Sequence, residues 1–267
     1  MREALLGVAV GKKGIGKTYT TLQLIGSYIK GGLDMKPRRA LIIDVNDEFE
    51  SVAAISSKDV ALFSHHPKIE CRRIRPFNAD GSKMTLDDVA EVLWDVLKDY
   101  RGGLLLIEDI NKYIGDNLPN DLIGALCTNR HSNLDIILHF QSIGRISPKI
   151  WQNFNWLRFH KNTDGVDRHK KKFEEKWEAF KICEILVNSQ YFSGNKYFYL
   201  TYDADEEKIK GNFSQKMMDE AINEYIATNY SKKISPLLNI RDEKGKKSYT
   251  IPTATKKVKD QLKSMYL

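Results

Sequence analysis

The amino-acid sequence predicts an α/β fold with a mostly parallel central sheet and helices on both of its faces. Short apolar runs alternate along the chain with segments of helical periodicity, and these runs are continuously apolar. Strands of that kind are buried on both faces, which is typical of a parallel sheet covered by helices. With 267 residues, the chain is also long enough to bury a sizeable core.

The elements predicted in the first half each have a local signal. Apolar runs of strand length cover residues 5–10, 40–45, 104–107 and 134–140. Helical periodicity covers residues 18–30, 85–100 and 121–129. Gly31-Gly32 is a typical stop for the first helix, and Thr85 with Asp88 forms a capping pair at the start of the second.

The second half continues the pattern up to about residue 230. Strands are predicted over residues 156–160 and 197–202, and helices over residues 167–189 and 215–230. Ser214 is a typical N-cap for the last of these helices. The chain then loses its helical periodicity, so we expect one domain over residues 1–230 and a flexible tail over 231–267, with at most a short amphipathic helix near its end.

The net charge of the protein is concentrated in that tail. Residues 231–267 contain ten Lys or Arg and three Asp or Glu, a charge of +7, so residues 1–230 are neutral overall. A basic tail on a neutral body favours an anionic partner, either nucleic acid or a membrane surface. The alternative is a solvated tail that only improves solubility.

Composition excludes several classes of protein. The proportions of apolar and charged residues are those of a globular protein, so neither a disordered nor a collagen-like chain is expected. Three widely spaced cysteines, Cys71, Cys127 and Cys183, give no structural zinc site and favour a reducing compartment. No apolar run is long enough to span a membrane, and the short run at residues 4–10 lacks the flanks of a signal peptide.

A phosphate-binding loop follows the first predicted strand. The segment consists of Gly11, Lys12, Lys13, Gly14, Ile15, Gly16, Lys17 and Thr18, and Tyr19 follows it in the first turn of a helix. It matches G-x-x-x-x-G-K-[ST], in which backbone N–H groups surround the phosphates. Lys17 is expected to reach the β- and γ-phosphates of ATP, and the Thr18 hydroxyl to bind Mg²⁺.

Two carboxylates end the strand predicted over residues 104–107. Glu108 and Asp109 are expected at the same sheet edge as the loop, with Glu108 on the metal and Asp109 polarising the attacking water. Their order is the reverse of the usual one, so the two roles stay open. Asp44 and Glu48, which follow the previous strand, either face the γ-phosphate or stabilise a turn.

The strand predicted over residues 134–140 is flanked by polar candidates. Gln141 follows it, at the edge expected to face the phosphate loop, where an amide can bind the γ-phosphate or the attacking water. Arg130 precedes the strand, from where it can reach a neighbouring subunit as an arginine finger. Arg145 is the competing candidate for that role.

Taken together, these motifs resemble the FtsK–HerA superfamily of P-loop motor ATPases. The resemblance covers about residues 1–160 and rests on GKKGIGKT, IIDVNDE, LLLIED and NRHSNLDIILHFQS in this order. It implies a P-loop NTPase fold with a RecA/FtsK-like core, and a ring, hexameric or pentameric, that hydrolyses ATP between subunits to translocate DNA. Viral genome-packaging ATPases fit best, which implies work at a capsid vertex, in the host cytoplasm or virion, with Arg130 acting in trans.

Two alternatives remain open at the level of sequence. Zot-like assembly ATPases of filamentous phages share the segment that begins at Arg130-His131, but they typically carry a membrane-spanning helix. Lys12 stands where partition-type (MinD/ParA-like) ATPases have a signature lysine, although Lys13 replaces a glycine of that pattern. Candidate DNA contacts are the tail lysines and the basic run at residues 168–172.

Overall fold

A computed structural model of the protein describes residues 3–32, 36–110 and 120–267. Its strands are β1 (Leu6–Val10), β2 (Ala40–Ile43), β3 (Cys71–Ile74), β4 (Leu104–Ile107), β5 (Asp135–Phe140), β6 (Trp156–Phe159), β7 (Leu200–Asp203) and β8 (Lys208–Gly211). The helices of the N-terminal half are α1 (Lys17–Lys30), α2 (Val60–His65), α3 (Leu86–Asp99) and α4 (Asn120–Cys127). Those that follow are α5 (Pro148–Asn153), α6 (Trp177–Phe192), α7 (Gln215–Thr228), α8 (Tyr230–Lys233), α9 (Ser235–Leu238) and α10 (Ile251–Tyr266).

The strands of the described residues form one sheet in the order β3-β2-β4-β5-β1-β6-β7-β8. The pairs from β3 through to β6 are parallel, and β7 and β8 add an antiparallel edge. β1 lies inside the sheet, between β5 and β6. The predicted α/β class with a mostly parallel sheet is therefore confirmed.

Both faces of the sheet are covered because alternate residues of each strand point to opposite sides. On one face, Ile42 and Leu106 belong to a cluster with Ile25 of α1. On the other face, Leu41 and Leu105 belong to the larger cluster that also takes in α3. This two-sided burial is the physical reason for the continuously apolar strands.

Several elements were not predicted from the sequence. β3 has the sequence CRRI, in which two arginines hide the strand signal, and α2 and α5 have six residues each. The helix predicted to start at residue 167 begins at Trp177, because 3-10 turns cover Val166–Lys172 and Glu174–Lys176. Their basic run is therefore on turns and not on the face of a long helix.

The C-terminal region is more ordered than the sequence indicated. Instead of a short helix near residue 260, α10 runs for 16 residues from a capping box at Thr250. Its buried residues are Ala254, Val258, Leu262 and Tyr266, spaced by four. They join the main core cluster, so this helix packs on the body of the protein.

Ion pairs fix the charged side of α10. Lys263 Nζ lies 2.6 Å and Lys259 Nζ 3.2 Å from the Asp219 carboxylate of α7. The hydrogen bond from Lys263 contributes most to lowering the pKa of Asp219, to about 2. Lys259, one of the tail lysines predicted to contact DNA, thus forms an ion pair within the protein.

No helix in the described ranges is long and apolar enough to cross a membrane.

The packing of α10 predicts a clear cost for truncating one of its buried side chains. Leu262 is 2% exposed, so Leu262→Ala should lower the free energy of unfolding by about 2–5 kcal/mol. Urea unfolding with an unchanged m-value is the measurement. Met265→Ala, at a position 50% exposed on the same helix, is the control and should have little effect. An equal, small effect of both changes would contradict the packing.

Candidate nucleotide site

The glycine-rich loop between β1 and α1 is hydrogen-bonded to the ends of the two strands that flank β1. Gly11 N–H donates to the Phe140 carbonyl at 3.1 Å, and Lys12 N–H donates to the Lys161 carbonyl at 2.8 Å. Gly11 has a positive φ, and a side chain there would clash with Ile15 and with His160. The loop backbone is therefore fixed on both sides at the carboxyl edge of the parallel strands, as anion binding requires.

Lys17 lies across this loop. Its ammonium donates to the carbonyls of Gly11 at 2.6 Å and Lys12 at 3.0 Å, and the side chain is buried. Burial lowers the pKa of Lys17, while the nearby charges of Asp109, Glu108 and Glu48 oppose that shift. A buried ammonium beside a glycine-rich loop and a helix N-terminus is suited to receive the phosphates of a nucleotide.

Glu108 and Thr18 meet beside the loop. Thr18 Oγ1 donates to Glu108 Oε1 at 2.8 Å, and Glu108 is 4% exposed. Its second oxygen, Oε2, is buried and has no hydrogen-bond partner within the described residues. A hydroxyl beside an unpaired carboxylate oxygen is a donor set that fits Mg²⁺, a cation that prefers oxygen ligands.

Asp109 occupies the next position along the same edge. Gln141 Nε2 donates to Asp109 Oδ2 at 2.8 Å, and Asn46 Nδ2 donates to the same atom at 3.1 Å. Asp109 has a backbone φ of 44°, in the left-handed region that few residues other than glycine adopt. The strand ends of β2, β4 and β5 thus bring together a carboxylate and two amides that lie far apart in the sequence.

A third carboxylate, Glu48, faces the same group of charges. Burial and the neighbouring Glu108 raise the pKa of Glu48. Asp44 has a different surrounding: it accepts from the N–H groups of Glu48 and Phe49, and pairs with Arg73 at 2.7 Å. Of the two acids left open by the sequence, Asp44 stabilises the turn, and Glu48 is the one that faces the loop.

The remaining residues predicted for the site lie in three places: around the loop, just after β5, and at the opposite end of β5. Lys13, Gly14 and Tyr19 are exposed around the loop, whereas Lys12 donates to the Tyr191 hydroxyl at 2.5 Å. Arg145 is exposed in a 3-10 turn shortly after Gln141. Arg130 lies in the 3-10 turn Asn129–Ser132, at the opposite end of β5, and its side chain is outside the described part of the structure.

Behind Glu108 lies a buried network of polar side chains that was not predicted from the sequence. Arg158 Nη1 donates to Thr21 Oγ1 at 2.8 Å, and Thr21 Oγ1 lies 2.8 Å from His139 Nε2. The other ring nitrogen, His139 Nδ1, lies 3.8 Å from Glu108 Oε1. The sequence indicates this network only through His139 and Arg158, polar residues inside the apolar strands β5 and β6.

His160 is the second buried histidine near the loop. Neither of its ring nitrogens has a hydrogen-bond partner among the residues described, and the side chain is fully buried. Burial lowers the pKa of His160 far below its ordinary value, and the charges of Arg158 and Lys17 act in the same direction. The ring is therefore neutral in the folded protein at neutral pH.

Comparisons with known proteins agree with this geometry at the level of fold. No protein-family model matches the sequence, and no curated protein matches it either. The genome-packaging NTPase B204 of Sulfolobus turreted icosahedral virus 2, in complex with ATP-γS, superposes with a TM-score of 0.52. The two chains share 17% sequence identity over 79% of this chain and 97% of B204.

The DNA-packaging ATPase B204 of Sulfolobus turreted icosahedral virus gives a TM-score of 0.50 at 16% identity, over 79% of this chain and 97% of that chain. The chain has the fold of these P-loop NTPases. The N-terminal domain of zonular occludens toxin from Neisseria meningitidis superposes over 59% of this chain and 76% of its own, with a TM-score of 0.37 and 16% identity.

His160 should make the free energy of unfolding depend on pH. Since its pKa is lowered in the folded state, protons bind the unfolded chain preferentially once the pH falls below about 6.5. We expect this one group to remove up to about 1.4 kcal/mol of stability per pH unit below that value. Urea unfolding of His160→Leu at several pH values between about 7 and 5 should show a shallower loss than wild type.

The matched control for that experiment is His66→Leu, since His66 is exposed. This change should leave the pH dependence of unfolding as in wild type. Equal slopes for wild type and His160→Leu would show that His160 titrates normally in the folded protein.

Proposed function

We propose that this chain is a Mg²⁺-dependent ATPase. The observation that carries the proposal is the meeting of Lys17 and Thr18 with Glu108 and Asp109 at one sheet edge, which the sequence motifs also predict. The fold it shares with NTPases that bind ATP analogues supports the same reaction. Binding and hydrolysis of a nucleoside triphosphate explain why a buried lysine lies near three carboxylates.

The loop and its lysine bind the triphosphate. Lys17 exchanges its two loop carbonyls for the β- and γ-phosphate oxygens, and N–H groups of the loop and of the first turn of α1 donate to the phosphates. Thr18 and Glu108, whose Oε2 is unpaired, would hold the Mg²⁺. When bound, the metal would supply positive charge for the phosphate oxygens.

Asp109 positions the attacking water. The oxygen of this water forms a bond to the γ-phosphorus, the bond to the β–γ bridging oxygen breaks, and the water proton passes to the carboxylate. The Gln141 and Asn46 amides hold Asp109 in place for this step. Glu48 is the second candidate for the base, because it lies among the same charges and because burial raises its pKa, which makes it a better proton acceptor than an ordinary carboxylate.

Two substitutions separate binding from chemistry. Lys17→Ala should abolish ATP binding, because it removes the cation that receives the phosphates. Asp109→Asn should retain ATP binding and lower kcat by at least about 100-fold, the usual contribution of a positioned acid or base. Phosphate release in the steady state and equilibrium binding of a fluorescent ATP analogue are the measurements.

Glu48→Gln is the matched variant for the base assignment. Turnover lost in Glu48→Gln and kept in Asp109→Asn would transfer the role to Glu48. Wild-type turnover in Lys17→Ala would remove the assignment of the phosphate loop altogether.

We further propose that hydrolysis drives DNA translocation during viral genome packaging, with ATP hydrolysed between the subunits of a ring of five or six copies. The support is the fold shared with packaging NTPases, together with the motif order of the sequence. A ring needs an arginine delivered in trans, for which Arg130 and Arg145 are the candidates. Such a motor works at a capsid vertex, in the host cytoplasm or in the virion.

A lysine-rich turn supplies a surface for DNA. Asp242 shapes it by accepting from the N–H groups of Lys244 and Lys246, at 2.9 and 2.8 Å, and Gly245 adopts a positive φ. Lys244, Lys246 and Lys247 are all exposed on this turn. An exposed group of cations on an ordered turn suits contact with phosphates without reading the base sequence.

Replacing the three turn lysines by Gln should weaken DNA binding and flatten its salt dependence. If each contacts one phosphate, the slope of log K against log [salt] falls by about 3 for duplex DNA. Fluorescence anisotropy at several salt concentrations is the measurement. A control with the same charge change is the triple Gln variant of Lys30, Lys58 and Lys98, which are exposed elsewhere. Equal binding by both variants would exclude the turn as the DNA contact.

A further inference from the structure

The two sides of the phosphate loop carry different kinds of side chain. The carboxylates and amides follow β2, β4 and β5, which lie on one side of β1 in the sheet. On the other side lie β6 and β7, and the segment that enters β7 carries Tyr197. A triphosphate whose γ end points to the carboxylates therefore has its nucleoside end on the β6–β7 side.

Tyr197 is an exposed aromatic residue held against the loop. Its side chain is 57% exposed, yet its Cδ1 lies 3.3 Å from the point where a Cβ of Gly16 would stand. Gly16 is the last loop glycine before Lys17 and the N-cap of α1. The ring thus borders the start of the helix that receives the phosphates.

The backbone at Tyr197 is anchored by its neighbours in the chain. Phe198 is buried in the core, and Tyr199 packs against His160 with ring centroids 5.1 Å apart. Upstream, Asn195 N–H donates to the Gln190 carbonyl and closes the end of α6. The backbone that carries the exposed ring is therefore held on both sides, which lowers the entropic cost of stacking a ligand on it.

A second tyrosine, Tyr191, completes this side of the loop. Lys12 of the loop donates to the Tyr191 hydroxyl and lies 4.3 Å from the centre of its ring. The Lys12 side chain is therefore tied to α6. Tyr197 stays 57% exposed beside the loop, and the exposed Lys196 side chain, with its Nζ 5.1 Å from the ring centre, is the group that a stacking base would displace or face across the ring.

We infer that Tyr197 is the stacking surface for the base of the bound nucleotide. The inference rests on the proposed function and deepens it by assigning the nucleoside end of the site. Rings of nucleobases stack on aromatic side chains, and the contact tolerates different bases because each has a π-face. Tyr19, 67% exposed on the first turn of α1, is the competing ring.

The test compares two ligands that differ in having a nucleoside. Mg·ATP carries a base, whereas Mg·tripolyphosphate engages the loop alone. Tyr197→Ala should weaken ATP binding about tenfold, the effect of losing one base–aromatic stack, and leave tripolyphosphate binding unchanged. Tyr197→Phe, which keeps the ring, should bind both as wild type does. Calorimetric titration and competition against a fluorescent ATP analogue measure both affinities.

Three outcomes would overturn the inference. ATP binding unaffected by Tyr197→Ala, or weakened only by Tyr19→Ala, excludes Tyr197 as the stacking residue. An equal loss for ATP and tripolyphosphate shows an effect on the loop itself. Tyr230→Ala, a partly exposed tyrosine on α8, is the control for general effects. If wild type binds neither ligand, the proposed function fails, which is a different result from a failure confined to Tyr197.

Discussion

The two hydrogen bonds that hold the phosphate loop determine which side chains lie around it. Through the N–H groups of Gly11 and Lys12, the loop is joined to the chain that leaves β5 on one side and β6 on the other. They form because β1 lies between these strands, both parallel to it. The segments that follow β4 and β5 then lie on one side of the loop, and the segment that enters β7 lies on the other.

That constraint explains the division of chemistry around the loop. Glu108 and Asp109 follow β4, and Gln141 follows β5; Glu108 accepts from Thr18, and Asp109 accepts from Gln141. The antiparallel edge, in contrast, places Tyr197 beside Gly16. A nucleotide bound along the loop would be held at both ends by groups of matching chemistry, charged at one end and aromatic at the other.

The polar residues beneath the loop show how the fold tolerates charge in its core. Burial lowers the pKa of Arg158 to about 10, and the guanidinium is hydrogen-bonded to Thr21 and packed near the rings of Trp156 and Tyr199. His139 is also fully buried, and burial lowers its pKa. Because Thr21 contacts both, helix α1 is joined to β5 and β6 by polar bonds as well as by apolar packing. The position of the helix that follows the loop is thereby specified more narrowly than by hydrophobic contact alone.

The sequence by itself determined the fold class, the loop and the identity of the acidic strand end, since each depends on residues close together along the chain. Gly11–Thr18 and the LLLIED run are local signals of that kind. Only the tertiary structure decided that Asp44 serves a turn while Glu48 faces Lys17, since the distinction depends on Arg73, 29 residues away. It also decided that the basic C-terminal segment folds, because the apolar stripe of α10 is buried in the main core cluster and Asp219 of α7 pairs with two of its lysines. Tyr197 escaped notice for the same reason: its relation to Gly16 is created by the order of strands in the sheet and leaves no trace in the spacing of residues.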